Sequence, residues 1–282
     1  VDFFDVAQTD FVYSVQCETS YNDVVRGFML EFAMLAVAAF AAGLVDAVVG
    51  GGGLIQIPVL FSAFSSTASA TLFGTSKLAG IFGTAAAAVN YSRRVRVAWS
   101  AAAPAAVTAF IFAFLGAVTV TKVPADFMRI LLPFVLIAVA IYTFRKKDLG
   151  SVHAPLHTGT KERVMAIGVG ALIGFYDGFF GPGTGSFLVF LFVRCFGFDF
   201  LGASAAAKVV NVACNLAALM WFGYSGHLLW QLGLMMAVCQ VAGSLLGTKL
   251  ALKHGSGFVR RIFLVVVAIL IVKTGFDAWQ RW

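Results

Sequence analysis

Long apolar stretches alternate with short polar breaks along this chain. In the first half they run over about 28–49, 53–65, 70–91, 98–120 and 126–144. In the second they run over about 164–181, 185–197, 202–222, 228–250 and 258–279. Most approach the roughly 18–20 apolar residues that a helix needs to cross a bilayer. The second stretch of each half is the exception: at ~1.5 Å per residue its helix reaches only about 18 Å. It predicts either a half-helix that completes a broken crossing or a re-entrant hairpin.

Composition agrees with helices in lipid. Of 282 residues, 60% are hydrophobic and only 12% charged, whereas soluble domains carry about 25% charged residues. The net charge of +7 therefore bears on membrane sidedness rather than on nucleic acid. The pattern predicts an all-α integral membrane protein in contact with the lipid bilayer, with no cofactor. Cys17, Cys195, Cys214 and Cys239 lack metal-ligand spacing, and His153, His157, His227 and His254 are too scattered for a metal site. Residues 1–27 lack the basic start and apolar core of a signal peptide and read as a solvent-facing tail.

Laying Gly174 over Gly43 brings the two halves into register without a gap. GLVDAVVGGGGLIQIPVLF (Gly43 to Phe61) falls on GFYDGFFGPGTGSFLVFLF (Gly174 to Phe192). The same shift pairs Asp46 with Asp177, Lys77 with Lys208, Trp99 with Trp230, Lys122 with Lys253, and Arg129 with Arg260. A rare intramembrane lysine and a tryptophan in register go beyond chance overlap of glycine runs. The predicted organisation is a tail (1–27), a first repeat (28–145), a cytoplasmic linker (146–163) and a second repeat (164–282).

Charge distribution chooses between the two readings of the short stretch. If it counts as a crossing, each half crosses five times and the repeats are inverted. With the N-terminus outside, the cytoplasm then receives Arg93, Arg94, Arg96, Arg145 to Lys147, Lys161, Arg163, Arg194, Lys249, Lys253, Arg260 and Arg261. Arg26, Lys122, Arg129 and Arg281 remain outside. Parallel repeats divide the charges almost evenly. The positive-inside rule thus favours inverted repeats in a plasma (inner) membrane, with both termini outside the cytoplasm.

The glycine runs mark the candidate site. Gly50, Gly51, Gly52 and Gly53 in one half, and Gly181, Pro182, Gly183, Thr184 and Gly185 in the other, cannot be stable helix interior. Broken backbone at membrane depth must line a cavity or be buried in protein. New helices are expected from Leu54 and Ser186. Their unpaired N–H groups, facing one another, would form an anion cradle. Close helix crossing through small residues is the competing account.

Lys77 and Lys208 lie inside apolar helices, where a lysine is costly and usually functional or paired. Snorkelling from a helix end is the alternative. Three roles stay open for Asp46 and Asp177: ion-pair partner for the lysine of the same half, proton carrier, or cap at the broken helix. Asn211 and Asn215 share a helix face with Lys208. Thr75, Ser76, Tyr176, Thr184 and Ser186 complete the polar candidates.

The repeated pattern GxxDxxxGxGxG, followed in its own half by Lys77 or Lys208, resembles the TauE/SafE family of membrane transporters, also described as sulfite exporters. GFYDGFFGP (Gly174 to Pro182) is especially similar to the YfcA-type subgroup. The resemblance implies a secondary carrier, not an enzyme, that exports sulfite or a small organosulfur anion. An anion channel, or a sulfur relay through Cys195, Cys214 and Cys239, stands as the alternative.

Overall fold

The computed structural model describes residues 29, 31–64, 66–124, 127–128, 131, 134 and 156–279. The proposed tail, the stretch 135–144 and most of the linker lie outside them. The described chain is helical throughout: α1 (Glu31–Val49), α2 (Gly52–Ala63), α3 (Ser69–Arg94), α4 (Trp99–Val120), α5 (Thr160–Phe179), α6 (Thr184–Phe196), α7 (Phe200–Tyr224) and α8 (Trp230–Trp279). Five helical stretches are long and apolar enough to span a bilayer: α1, α3, α4, α7, and α8 as far as Gly255. The protein is an all-helical integral membrane protein.

The last two apolar stretches of the sequence, expected as separate helices, are two helices joined end to end within α8 at a kink at Gly255, whose φ of 73° and ψ of −172° only glycine adopts readily.

Small residues let the helices approach closely. On α5, Gly170, Gly174 and Gly178 lie against the backbone of Ala105, Ala109 and Ala113 of α4. Each turn of α5 meets the next turn of α4, so the two helices run the same way. Likewise Gly43 of α1 meets Gln240 of α8, and Gly247 meets Leu44 and Ala47, so α1 and α8 are parallel. Gly74 and Gly83 of α3 meet Leu228 and Gln240, which sets α3 parallel to α8. The register reverses between α3 and α7: Gly74 lies against Phe222, but Gly80 lies against Asn215. Those two helices are antiparallel.

The contacts are reciprocal. Gly43 against Gln240 is answered, at the equivalent positions of the other half, by Gly174 against Ala109. Gly116 against Phe175 is answered by Gly247 against Leu44. The equivalent helices α3 and α7 lie antiparallel.

These directions gather the basic residues. Helices α3 and the first part of α8 end where α4, α5 and α7 begin. Arg93, Arg94, Arg96, Lys161, Arg163, Arg194, Lys249 and Lys253 therefore collect at one end of the bundle. A hydrogen bond from Ser100 to Glu162 (3.1 Å) and another from the Leu156 N–H to the Phe196 carbonyl (3.0 Å) tie this end together. Lys122, just past the end of α4, lies at the opposite end.

Candidate central site

The helix breaks are shorter than the glycine runs. In the first half the break is confined to Gly50 and Gly51, and α2 begins at Gly52, not at Leu54. In the second, α6 begins at Thr184, not at Ser186. Glycine costs little in a first turn, where N–H groups lack intrahelical partners anyway. Gly50 and Gly181, equivalent positions, take φ of 80° and 90°, and Gly183 takes 82°.

The two breaks cross at the centre of the bundle. The Gly50 Cα lies so close to Gly185 that neither position has room for a Cβ. The Ser186 N–H donates to the Gly50 carbonyl (3.1 Å), and Ser186 Oγ donates to the Val49 carbonyl (3.1 Å). Tyr176 Oη donates to the Pro182 carbonyl (2.6 Å), and Thr184 Oγ1 to that of Gly181 (2.8 Å). Side chains thus satisfy backbone acceptors that the breaks expose. Neither α2 nor α6 has a side-chain N-cap.

Each aspartate pairs with a lysine, but not with the lysine of its own half. Lys77 donates to Asp177 Oδ2, and Lys208 donates to Asp46 Oδ2 at 2.9 Å. The within-half pairing expected from sequence is corrected by the antiparallel crossing of α3 and α7, which carries each lysine to the opposite break. Snorkelling is excluded as well: Lys77 and Lys208 are 8% and 1% exposed.

The two pairs are not equivalent. Lys208 also donates to the Asp46 main-chain carbonyl, while Thr84 Oγ1 donates to Asp46 Oδ2 at 3.1 Å. That pair is closed on itself. Lys77 instead lies over Gly181, where any Cβ would press on its Cε and Nζ. Lys77 faces a cavity and Lys208 does not.

This cavity has about 40 Å³ of free space, against the ~10–15 Å³ that one water requires. It is built between the breaks. Of the expected site residues, Asp46, Gly50, Gly53, Lys77, Asp177 and Gly181 line it, as do Gly183, Thr184, Gly185, Asn211 and Asn215. Gly51, Gly52, Pro182, Ser186 and Lys208 are not part of its lining. Ser76 also lines it. Thr75 does not: it accepts from the Leu229 N–H (3.0 Å) and so stitches α3 to the start of α8.

Comparison with known proteins assigns the family. The sequence profile described as "Sulfite exporter TauE/SafE" matches residues 35–274. The chain belongs to the TauE/SafE family. It is similar to the probable membrane transporter protein ORF9 of Sinorhizobium sp, 38% identical over 241 residues that cover 86% of this chain and 91% of that one. It is also similar to the probable membrane transporter protein YfcA of Escherichia coli strain K12, 33% identical over 92% of this chain and 95% of that one. A probable membrane transporter protein of Haemophilus influenzae is 32% identical over 89% of this chain and 96% of its own length. No solved structure matches the chain.

Several cavity residues of this TauE/SafE protein carried no usable signal in the sequence. Gln56, Gly80, Thr84 and Gln240 all line the cavity. Their equivalents in the opposite half are Phe187, Asn211, Asn215 and Ala109. A search for matched polar pairs therefore passes over Gln56 and Gln240. One faint signal existed: a glutamine within an apolar stretch is costly unless it finds a partner.

Proposed function

We infer that this protein is a secondary transporter that exports a small anion, most simply sulfite or an organosulfonate, by alternating access. The observation that carries the reading is the cavity between the two broken crossings. Lys77, Ser76, Asn211 and Asn215 supply donors there, and the uncapped N-termini of α2 and α6 add partial positive charge. Its small free volume suits a compact ligand of a few heavy atoms.

Inverted repeats are the arrangement this reading needs, and the antiparallel pairing of α3 with α7 supports them. Two ion pairs run between the halves, so rocking one half against the other must rearrange them. In the closed state they hold the halves together. An anion arriving at Lys77 competes with Asp177 for the ammonium and so loosens one of the two ties. Export down an inside-negative potential gains about 2.3 kcal/mol per unit charge per 100 mV.

The basic end of the bundle then faces the cytoplasm of an inner membrane. A reporter inserted at Arg96 is expected to read as cytoplasmic, and one fused after Trp282 as external. The reverse result overturns the orientation.

The transport reading is tested with purified protein in sulfite-loaded liposomes. Saturable sulfite efflux is expected, reduced at least tenfold in the charge-balanced variant Lys77→Met/Asp177→Asn. Absence of flux and of ligand-induced thermal stabilisation with every sulfur oxyanion tried would sink it. Unsaturable electrical current would replace the carrier with a channel.

A further inference from the structure

We propose that Gln56 and Gln240 are substrate ligands, and that the oxyanion they hold is singly charged. This rests on the anion reading above and extends it to residues and a charge state that reading does not specify. Gln56 on α2 and Gln240 on α8 are 1% and 3% exposed, and both line the cavity. Gln56 Nε2 and Gln240 Oε1 are buried without a hydrogen-bond partner. Only one other side-chain atom among the described residues, Ser204 Oγ, shares that condition.

An unmet buried amide costs about 1–3 kcal/mol, so two at one small cavity need a reason. Other buried polar groups nearby are served: Thr84 by Asp46, Ser186 by Val49, Ser244 by the Gly83 carbonyl at 2.6 Å. A carboxamide can turn either its NH2 or its oxygen toward a ligand. An oxyanion entering beside Lys77 therefore meets two amides whose hydrogen-bonding capacity is unspent. A halide, with no array of directed oxygens, uses them poorly.

The charge class follows from the cross-half pairs. Asp46 and Asp177 balance Lys77 and Lys208, so the four buried charges sum to zero. One added negative charge can be met by the amides and the two helix N-termini. A second has no cation left to balance it in a low-dielectric site.

The test uses the full chain in detergent, with methanesulfonate as the monoanionic probe, sulfate as the dianionic one and chloride as a third. Titration calorimetry is run on wild type, Gln56→Leu and Gln240→Leu, with thermal melts confirming that the variants fold. Methanesulfonate is expected to bind wild type, at least tenfold more tightly than sulfate or chloride. Each leucine variant is expected to lose about ten- to a hundredfold in affinity while melting at or above the wild-type temperature, since an unmet buried polar group has been removed. Wild-type methanesulfonate affinity in both variants overturns the role of the glutamines and leaves the anion reading standing. Sulfate binding as tightly as methanesulfonate overturns the charge class. If wild type binds no oxyanion at all, the anion reading fails and the proposal fails with it.

Discussion

Lys208→Met is expected to lower stability by about 3–5 kcal/mol, the usual consequence of stripping one partner from a buried ion pair. Lys208 is 1% exposed, and the carboxylate it leaves behind, Asp46, is 6% exposed. Thr84 alone then serves that charge, through a single hydrogen bond of 3.1 Å. Adding Asp46→Asn removes the stranded charge. The double variant Asp46→Asn/Lys208→Met should therefore melt close to wild type, since replacing a whole buried pair is often near neutral. Combining Lys208→Met with Asp177→Asn instead should not rescue it, because Asp177 belongs to Lys77. Thermal melts in detergent distinguish the three proteins. Rescue by Asp177→Asn would mean that the pairing runs within halves after all.

Gly178→Leu is expected to abolish the folded state, an effect above about 4 kcal/mol and so outside the ordinary range of point substitutions. A Cβ at Gly178 would lie 1.9 Å from the Ala113 carbonyl oxygen, which is backbone and cannot swing aside. The same holds at Gly174, where the Ala109 Cα and carbonyl oxygen stand 2.5 Å away. Together these glycines set the parallel contact of α4 with α5 that carries Asp177 toward Lys77. Gly168, nearer the start of α5, has open space around it, and Gly168→Leu should be tolerated. Gel-filtration profiles after detergent extraction check both: aggregation for Gly178→Leu, a monodisperse peak for Gly168→Leu. A well-folded Gly178→Leu protein would contradict the tight helix contact.

Much of the architecture was legible in the order of residues. Helical periodicity and apolar length are local properties, so α1, α3, α4 and α7 begin and end close to the stretches that announced them. The breaks were legible because glycine and proline act on their own backbone. Their edges were misplaced, with α2 starting at Gly52 and α6 at Thr184, because a first turn accepts glycine as readily as a loop does. Asp46, Lys77, Asp177 and Lys208 stood out because charge is rare at membrane depth.

What belonged to the sequence alone was the inventory: a membrane protein, an internal repeat, two interruptions, and two aspartates and two lysines at matched positions. Who meets whom was decided only in three dimensions. A matched position says that two residues are alike, not that they touch. The antiparallel packing of α3 against α7 sent each lysine to the other half's aspartate. It exposed Lys77 to the cavity while closing Lys208 away, and the crossing breaks brought in Gln56 and Gln240, which have no polar counterparts. These outcomes depend on contacts between residues far apart in the chain, and no local pattern encodes them.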